Sequence, residues 1–132
     1  MKRVTGKEVV VEDNFCGEIE KAICNKDSNV WDQYQATTFL RDYKDQEKAE
    51  CALGNLLRNQ AETGALLRHE IAFMLGNLLA NSDNKVVKKQ VLDTCHDTKE
   101  ADVVRHESIL AYAVCTKDKS EMFVPNFSVI HF

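Results

Sequence analysis

The sequence contains two His-Glu pairs that are candidate ligands for a metal ion. His69-Glu70 lies in "LLRHEIAFMLGNLL" and His106-Glu107 lies in "VVRHESILAYAV". Each pair follows an arginine and sits within an apolar helical pattern. Imidazole nitrogens and carboxylate oxygens are common ligands of first-row metal ions. The repeated triplet therefore predicts a metal site on helices that would otherwise be assigned to the core.

An internal period positions these pairs. Leu75 follows His69 by six residues, and aligning it with Leu40 of an earlier helix places Tyr34 where the histidines stand later. Tyr34, His69 and His106 are then separated by 35 and 37 residues. A period of this size with paired helices is typical of an α-solenoid. We expect an all-α fold with helices near 14–26, 29–43, 46–59, 62–80, 84–96 and 101–115.

Composition limits the function classes. One proline and five glycines in 132 residues indicate a mostly helical chain. The net charge of −4 argues against nucleic acid as a partner, because no basic stripe is present to neutralise phosphates. No apolar run is long enough to span a membrane. Five separate cysteines without a Cys-x-x-Cys motif are typical of free, mostly buried thiols, which favours a cytoplasmic location.

The chain length fits one domain covering residues 1–132. We expect residues 1–13 to form a short strand or a disordered end. Residues 116–132 form an apolar C-terminal tail that contains "MFVPNFSVIHF". We expect this tail to cap the last repeat or to cross to a partner chain, so deleting residues 121–132 should cause aggregation or loss of the dimer.

Helix geometry restricts how the pairs can bind metal. Adjacent residues point about 100° apart on a helix, so His69 and Glu70 do not easily bind the same small ion. The two histidines occupy equivalent positions on neighbouring parallel helices, so we expect their rings to meet over the gap, with the glutamates directed to the side. Two histidines and one carboxylate are the ligand set of non-haem Fe(II) oxygenases. A second copy related by a twofold axis would supply the missing carboxylate.

The two segments resemble deoxyhypusine hydroxylase, a HEAT-like repeat enzyme family whose repeats contain His-Glu pairs. "LLRHEIAFMLGNLL" and "VVRHES" are similar to its first two metal-binding repeats, and "QYQATTFLR" is similar to the preceding metal-free repeat. The resemblance covers about residues 30–114. It implies a HEAT-like fold, a di-iron (Fe²⁺) cofactor and monooxygenase chemistry on the deoxyhypusine side chain of a translation factor.

The resemblance also implies roles for single residues. His69 and His106 would be ligands of one iron, and Glu70 would be a ligand of the iron held by the other half. Glu107 would be a catalytic residue near the substrate amine, and it is a candidate metal ligand as well. The family's enzymes contain two such halves in one chain, whereas this sequence matches one half. The second motif also continues as "SILAYAVC" instead of with the family's small residues and glycine.

Three functions are therefore consistent with the sequence. The first is a homodimeric di-iron monooxygenase whose site is assembled between two chains. The second is a HEAT-like protein-interaction scaffold with no metal. The third is a catalytically inactive partner subunit that binds metal. Metal analysis separates the second from the others, and an activity assay separates the first from the third.

Overall fold

The computed structural model describes residues 14–116, and that part of the chain is helical without a strand. Its elements are α1 Phe15–Ile23, α2 Val30–Arg41, α3 Gln46–Arg58, α4 Ala65–Leu79, α5 Lys85–His96 and α6 Asp102–Cys115. The predicted all-α fold is confirmed, and each predicted helix agrees with an observed one within three residues at either end. The expectations for residues 1–13 and for the apolar tail beyond Thr116 lie outside the described residues.

Asx side chains begin three of the helices. The side chains of Asn29, Asp45 and Asn84 accept hydrogen bonds from the backbone amides three residues later, at the starts of α2, α3 and α5. Such caps satisfy amides that have no partner within the helix. Asn14 occupies the N-cap position of α1, but its side chain makes no capping hydrogen bond.

The six helices form three hairpins arranged in two rows. In one row α1 packs against α3 and α3 packs against α5, and in the other row α2 packs against α4 and α4 packs against α6. The equivalent second helices of the hairpins therefore lie side by side, as the 35- and 37-residue intervals predict. This arrangement is a stack of helical hairpins, in which each hairpin buries its apolar face against its neighbours.

The repeat register predicted from the sequence is visible in the core. Leu40 and Leu75 are fully buried, and Tyr112 at the equivalent position in α6 is also buried. These residues line up because each lies six positions after the site that is Tyr34 in α2, His69 in α4 and His106 in α6. The same periodicity therefore places one row of residues in the core and another row at the candidate site.

A polar ladder shows the same register in the other row. The side chain of Asn55 hydrogen-bonds with that of Glu20, and Gln90 Nε2 donates to Asn55 Oδ1 over 3.1 Å. These residues lie on α1, α3 and α5 and are 35 residues apart along the chain. Burial raises the pKa of Glu20, and the hydrogen bond with Asn55 partly offsets that increase. The 35-residue period therefore governs both rows of helices.

The cysteines pack as small side chains. All five are free, and Cys16, Cys95 and Cys115 are buried, in agreement with the sequence-based expectation for most of them. Burial raises the pKa of Cys95 to about 12, so its thiol stays protonated and unreactive near neutral pH. Between residues 14 and 116, the helices are too short or too polar to cross a membrane.

Candidate metal centre

The two His-Glu pairs occupy the same place in neighbouring helices. His69 is the fifth residue of α4 and His106 is the fifth residue of α6. These two helices form the most extensive helix–helix contact of the described chain. The repeat fold therefore brings both pairs to the seam between α4 and α6, near the amino-terminal ends of the two helices.

His69 lies between two carboxylates. Its Nε2 atom is 3.1 Å from Glu107 Oε1 on the neighbouring helix, and its Nδ1 atom is 3.3 Å from Glu70 Oε2 on its own helix. The His69 side chain is 28% exposed and that of Glu107 is 17% exposed, so both remain accessible to a small ion. The contact across the seam thus joins an imidazole and a carboxylate.

Helical geometry alone predicted that the imidazoles of His69 and His106 would contact each other and that the glutamates would be directed to the side. The structure instead places Glu107 against His69. The glutamate side chain has one more rotatable bond than histidine, so Glu107 can bend back across the seam to His69. His106 is half-buried, and its Nε2 atom is shielded from solvent. The assignment of His69, Glu70, His106 and Glu107 as metal ligands stays a prediction.

The arginine of each triplet points into the protein and has a structural role. Arg68 pairs with Glu100 through Nη2–Oε1 and Nε–Oε2 contacts of 2.8 and 3.1 Å, and it also donates to the Thr63 carbonyl. Arg105 Nε donates to the Cys95 carbonyl over 3.1 Å. Both arginines are buried. Arg68 therefore ties the first turn of α4 to the preceding loop and to the loop before α6, and Arg105 ties the first turn of α6 to the end of α5. The His-Glu pair of each triplet lies on a different face of its helix.

A glycine permits the close approach of α4 and α6. A Cβ atom added at Gly76 would lie 2.9 Å from Ala111 Cα and 3.0 Å from Ala111 Cβ. Gly76 is two helical turns after His69, and Ala111 is one turn after Glu107, so this contact lies on the same seam as the His69–Glu107 bridge. The glycine therefore sets the helix separation at which side chains from both helices can meet.

A groove between α2 and α4 is lined in part by the Glu70 carboxylate. It has a volume of about 540 Å³ and is bordered by Trp31, Tyr34, Leu66 and Glu70. A smaller depression of about 200 Å³ adjoins it and shares Tyr34 and Glu70, with Phe73 on its wall. Glu70 thus faces open space next to apolar and aromatic side chains, whereas Glu107 faces His69.

The donor types fit a divalent cation, but the part of the chain that the structure describes does not provide a complete set. Imidazole nitrogen and carboxylate oxygen together suit iron, zinc or manganese. Within residues 14–116, however, no three histidine, cysteine, aspartate or glutamate side chains converge as a metal-binding group. The contact between His69 and Glu107 supplies two donors at one point, so a metal ion bound here needs further donors.

The sequence interpretation missed the apolar side chains around the pairs. Leu66 and Phe73 were read as part of a core helix, yet both are exposed. Their positions three residues before and four residues after His69 put them on the same helix face as the pair. Val103 and Leu110 flank His106 in the same way and are exposed as well. The 37-residue register relates these two sets of residues to each other, but their exposure is visible only in the tertiary structure.

The protein is therefore a helical-hairpin repeat protein, with His-Glu pairs on the second helices of two neighbouring hairpins. Its similarity to known enzymes agrees with this class. The chain is 30% identical to the deoxyhypusine hydroxylase of Emericella nidulans over 108 residues, which are 80% of this chain and 30% of that protein. It is 32% identical to the deoxyhypusine hydroxylase of Phaeosphaeria nodorum over 93 residues, 68% of this chain and 27% of that protein.

These similarities confirm the resemblance that the two motifs predicted. The chain spans less than a third of the length of the curated relatives it matches. No protein-family model matches the chain. No solved structure matches it either.

Proposed function

We propose that this chain is a deoxyhypusine hydroxylase-like non-haem di-iron monooxygenase whose metal site is assembled between two chains. The observation that supports this proposal is the His69–Glu107 contact across the α4–α6 seam in a chain similar to that enzyme. Its substrate would be a deoxyhypusine-like side chain on a translation factor. The five free cysteines favour a cytoplasmic location for this activity.

Each residue of the two pairs has a distinct proposed role. His69 and His106 hold one iron, and Glu70 of the other chain completes its ligand set. When bound, iron supplies the dioxygen chemistry, and the protein positions the substrate and the metal ligands. Glu107 contacts His69 and is partly exposed, so its carboxylate can orient the imidazole or pair with a cationic substrate amine.

Single substitutions test these roles by iron content per chain. We expect His69→Ala and His106→Ala each to remove most of the iron and Glu70→Ala to weaken binding less, because carboxylate–iron bonds tolerate replacement by water. We expect Glu107→Ala to keep the iron and to lose substrate binding. Loss of iron from Glu107→Ala would instead assign Glu107 as a ligand. Lys89→Ala, an exposed change on α5 in the other row of helices, is the control and should keep both properties.

Mixing two defective chains tests whether the site is shared. One chain lacks both histidines and the other lacks Glu70, so neither forms a complete site alone. A heterodimer should regain one iron site, with both histidines from the second chain and Glu70 from the first. If both variants dimerise and mixing restores no iron, the ligands are not shared and the proposed mechanism is wrong.

A second candidate is a HEAT-like scaffold or a catalytically inactive metal-binding partner subunit. The exposure of Trp31, Phe39 and Val114 favours it, because exposed large apolar side chains are typical of interaction surfaces. A chain purified without bound iron, and unable to take it up, would favour the scaffold. A chain that binds iron but does not hydroxylate the modified translation factor would favour the partner subunit.

A further inference from the structure

Side chains on α1 and α3 pair at a constant interval along the chain. The Glu20 side chain hydrogen-bonds with that of Asn55, and Asn59 Nδ2 donates to Cys24 Sγ over 3.5 Å. The members of each pair are 35 residues apart, and the two pairs are four residues apart on each helix, which is about one turn. We call these pairs the rungs of an α1–α3 ladder, because each joins equivalent positions of neighbouring helices.

The next rung toward the amino-terminal ends of the two helices consists of two cysteines. Cys16 and Cys51 are also 35 residues apart, and they lie four residues before Glu20 and Asn55 respectively. Both cysteines are free thiols, and both border one cavity of about 410 Å³. The register and the shared cavity therefore place the two thiols on the same seam.

Helix geometry gives such a rung the span of a disulfide bond. Neighbouring helices have axes roughly 8–10 Å apart and Cα atoms on cylinders of about 2.3 Å radius, so facing Cα atoms lie roughly 5 Å apart. A disulfide joins Cα atoms that are about 4.4–6.8 Å apart. A bond between Cys16 and Cys51 is therefore compatible with the packing of α1 against α3.

The two thiols differ in their access to solvent. Cys51 is exposed, whereas Cys16 is buried. Burial raises the pKa of Cys16, and the charges of Asp45 and of an ionised Cys51 raise it further. The interaction with Cys51 agrees with the proximity that the ladder indicates. A small oxidant from solvent therefore meets Cys51 first, and Cys16 is the thiol that can follow.

We propose that Cys16 and Cys51 are a redox-active pair, which a hydroperoxide converts to a disulfide that joins the first hairpin to the second. The Cys51 thiolate attacks one peroxide oxygen, the oxygen–oxygen bond breaks, and Cys51 becomes a sulfenic acid. The Cys16 thiolate then attacks the Cys51 sulfur, and the sulfur–oxygen bond breaks. For hydrogen peroxide, the two thiols lose two electrons and two protons, and the peroxide becomes two molecules of water.

This disulfide would fasten the first helix of the described stack. The helix α1 has nine residues and packs against α2 and α3. A helix this short depends on packing for its stability. A bond between residues 35 positions apart restricts the unfolded chain, so oxidation should raise the melting temperature by at least about 5 °C. A thiol reductant such as dithiothreitol should reverse the increase.

Peptide mapping of the full chain after treatment with hydrogen peroxide tests the pair. Trypsin cuts after Lys21, Lys48 and Arg58, so Cys16 and Cys51 fall on separate peptides without another cysteine. We expect these two peptides to be joined in the oxidised folded chain and released by dithiothreitol. A folded chain in which Cys51 stays a thiol, stops at sulfenic acid or links to another cysteine would overturn the proposal.

The same oxidation in urea tests whether the fold selects the pair. We expect the unfolded chain to give a mixture of linkages among its five cysteines. A Cys16–Cys51 linkage that is no more frequent in the folded chain than in urea would show that the ladder does not bring these thiols together.

Two matched substitutions connect the linkage to its effect. Cys51 is exposed and Cys24 is partly exposed, so both Cys51→Ser and Cys24→Ser should fold. We expect Cys51→Ser to lose both the joined peptides and the rise in melting temperature, and Cys24→Ser to keep both. A rise that persists in Cys51→Ser or disappears in Cys24→Ser would exclude the Cys16–Cys51 bond as its cause. A disulfide that forms without raising the melting temperature would contradict its role in fastening the first hairpin.

Discussion

Arg68 and His69 are adjacent in the sequence, but they lie on different faces of α4 and have different physical roles. Arg68 is buried and pairs with Glu100 through two contacts, whereas His69 is partly exposed and contacts Glu107. The buried side holds the hairpins together, and the exposed side presents metal-ligand groups. A single charged motif thus combines a structural residue and candidate functional residues, and only their burial distinguishes them.

We expect the largest loss of stability when the buried ion pair of Arg68 is broken. Arg68→Met leaves the Glu100 side chain, which has no solvent exposure, without its cationic partner. We expect a loss of about 3–5 kcal/mol in the free energy of unfolding, measured with urea. Arg41→Met is the matched control, because Arg41 is exposed and pairs with exposed Asp42, and we expect it to cost at most about 1 kcal/mol.

The double variant Arg68→Met/Glu100→Met sharpens this prediction. Replacing both charges removes the uncompensated carboxylate, so much of the lost stability should return. By contrast, His69→Ala without metal should cost no more than about 1 kcal/mol, because its partners keep access to solvent. Equal losses for Arg68→Met and His69→Ala would contradict the division of the motif into two roles.

The next largest effect is expected when the close approach of α4 and α6 is prevented. Gly76→Ala forces a methyl group against the backbone of Ala111, and we expect about 1–3 kcal/mol of destabilisation by thermal or urea unfolding. Gly17→Ala is the control, because no atom lies within 4 Å of its added Cβ and helix propensity favours alanine by roughly 0.5–1 kcal/mol. A Gly76→Ala protein as stable as Gly17→Ala would show that α4 and α6 can separate at little cost.

The smallest effect is the pH dependence of the polar network that adjoins Arg68. Burial raises the pKa of Asp97, but hydrogen bonds from the Lys99 amide and Gln60, together with the charge of Arg58, outweigh burial and hold that pKa below its usual value. The depressed pKa stabilises the fold above the unfolded-state value of about 3.9, and this stability is lost as the pH falls through the folded-state pKa.

Asp97→Asn tests this pH dependence by urea unfolding between pH 3 and pH 6. The wild type should lose up to about 1 kcal/mol more than Asp97→Asn as the pH falls, because the variant has no carboxylate to protonate. Asp93→Asn is the control, since Asp93 makes an exposed contact with Lys89. A parallel decline of the wild type and Asp97→Asn would show that Asp97 does not contribute.

The helical fold and the register of its repeats could be predicted from the sequence alone. Helix formation depends on local properties such as few breakers, Asx caps and apolar periodicity, and these can be read from neighbouring residues. The 35- and 37-residue intervals also predicted that α2, α4 and α6 would be neighbours, because stacked repeats bring equivalent residues together. The resemblance of the two His-Glu motifs to deoxyhypusine hydroxylase was likewise visible in the sequence.

The side-chain contacts and the burial of individual residues depend on the tertiary structure. Nothing in the sequence indicated that His69 would contact Glu107, since that contact depends on the α4–α6 separation permitted by Gly76 and Ala111. It also did not distinguish buried Leu67 from exposed Leu66, because both fit an apolar helix and only packing against the other row buries one of them. Local propensity selects the helix, whereas burial and side-chain contacts depend on residues that are distant in the chain.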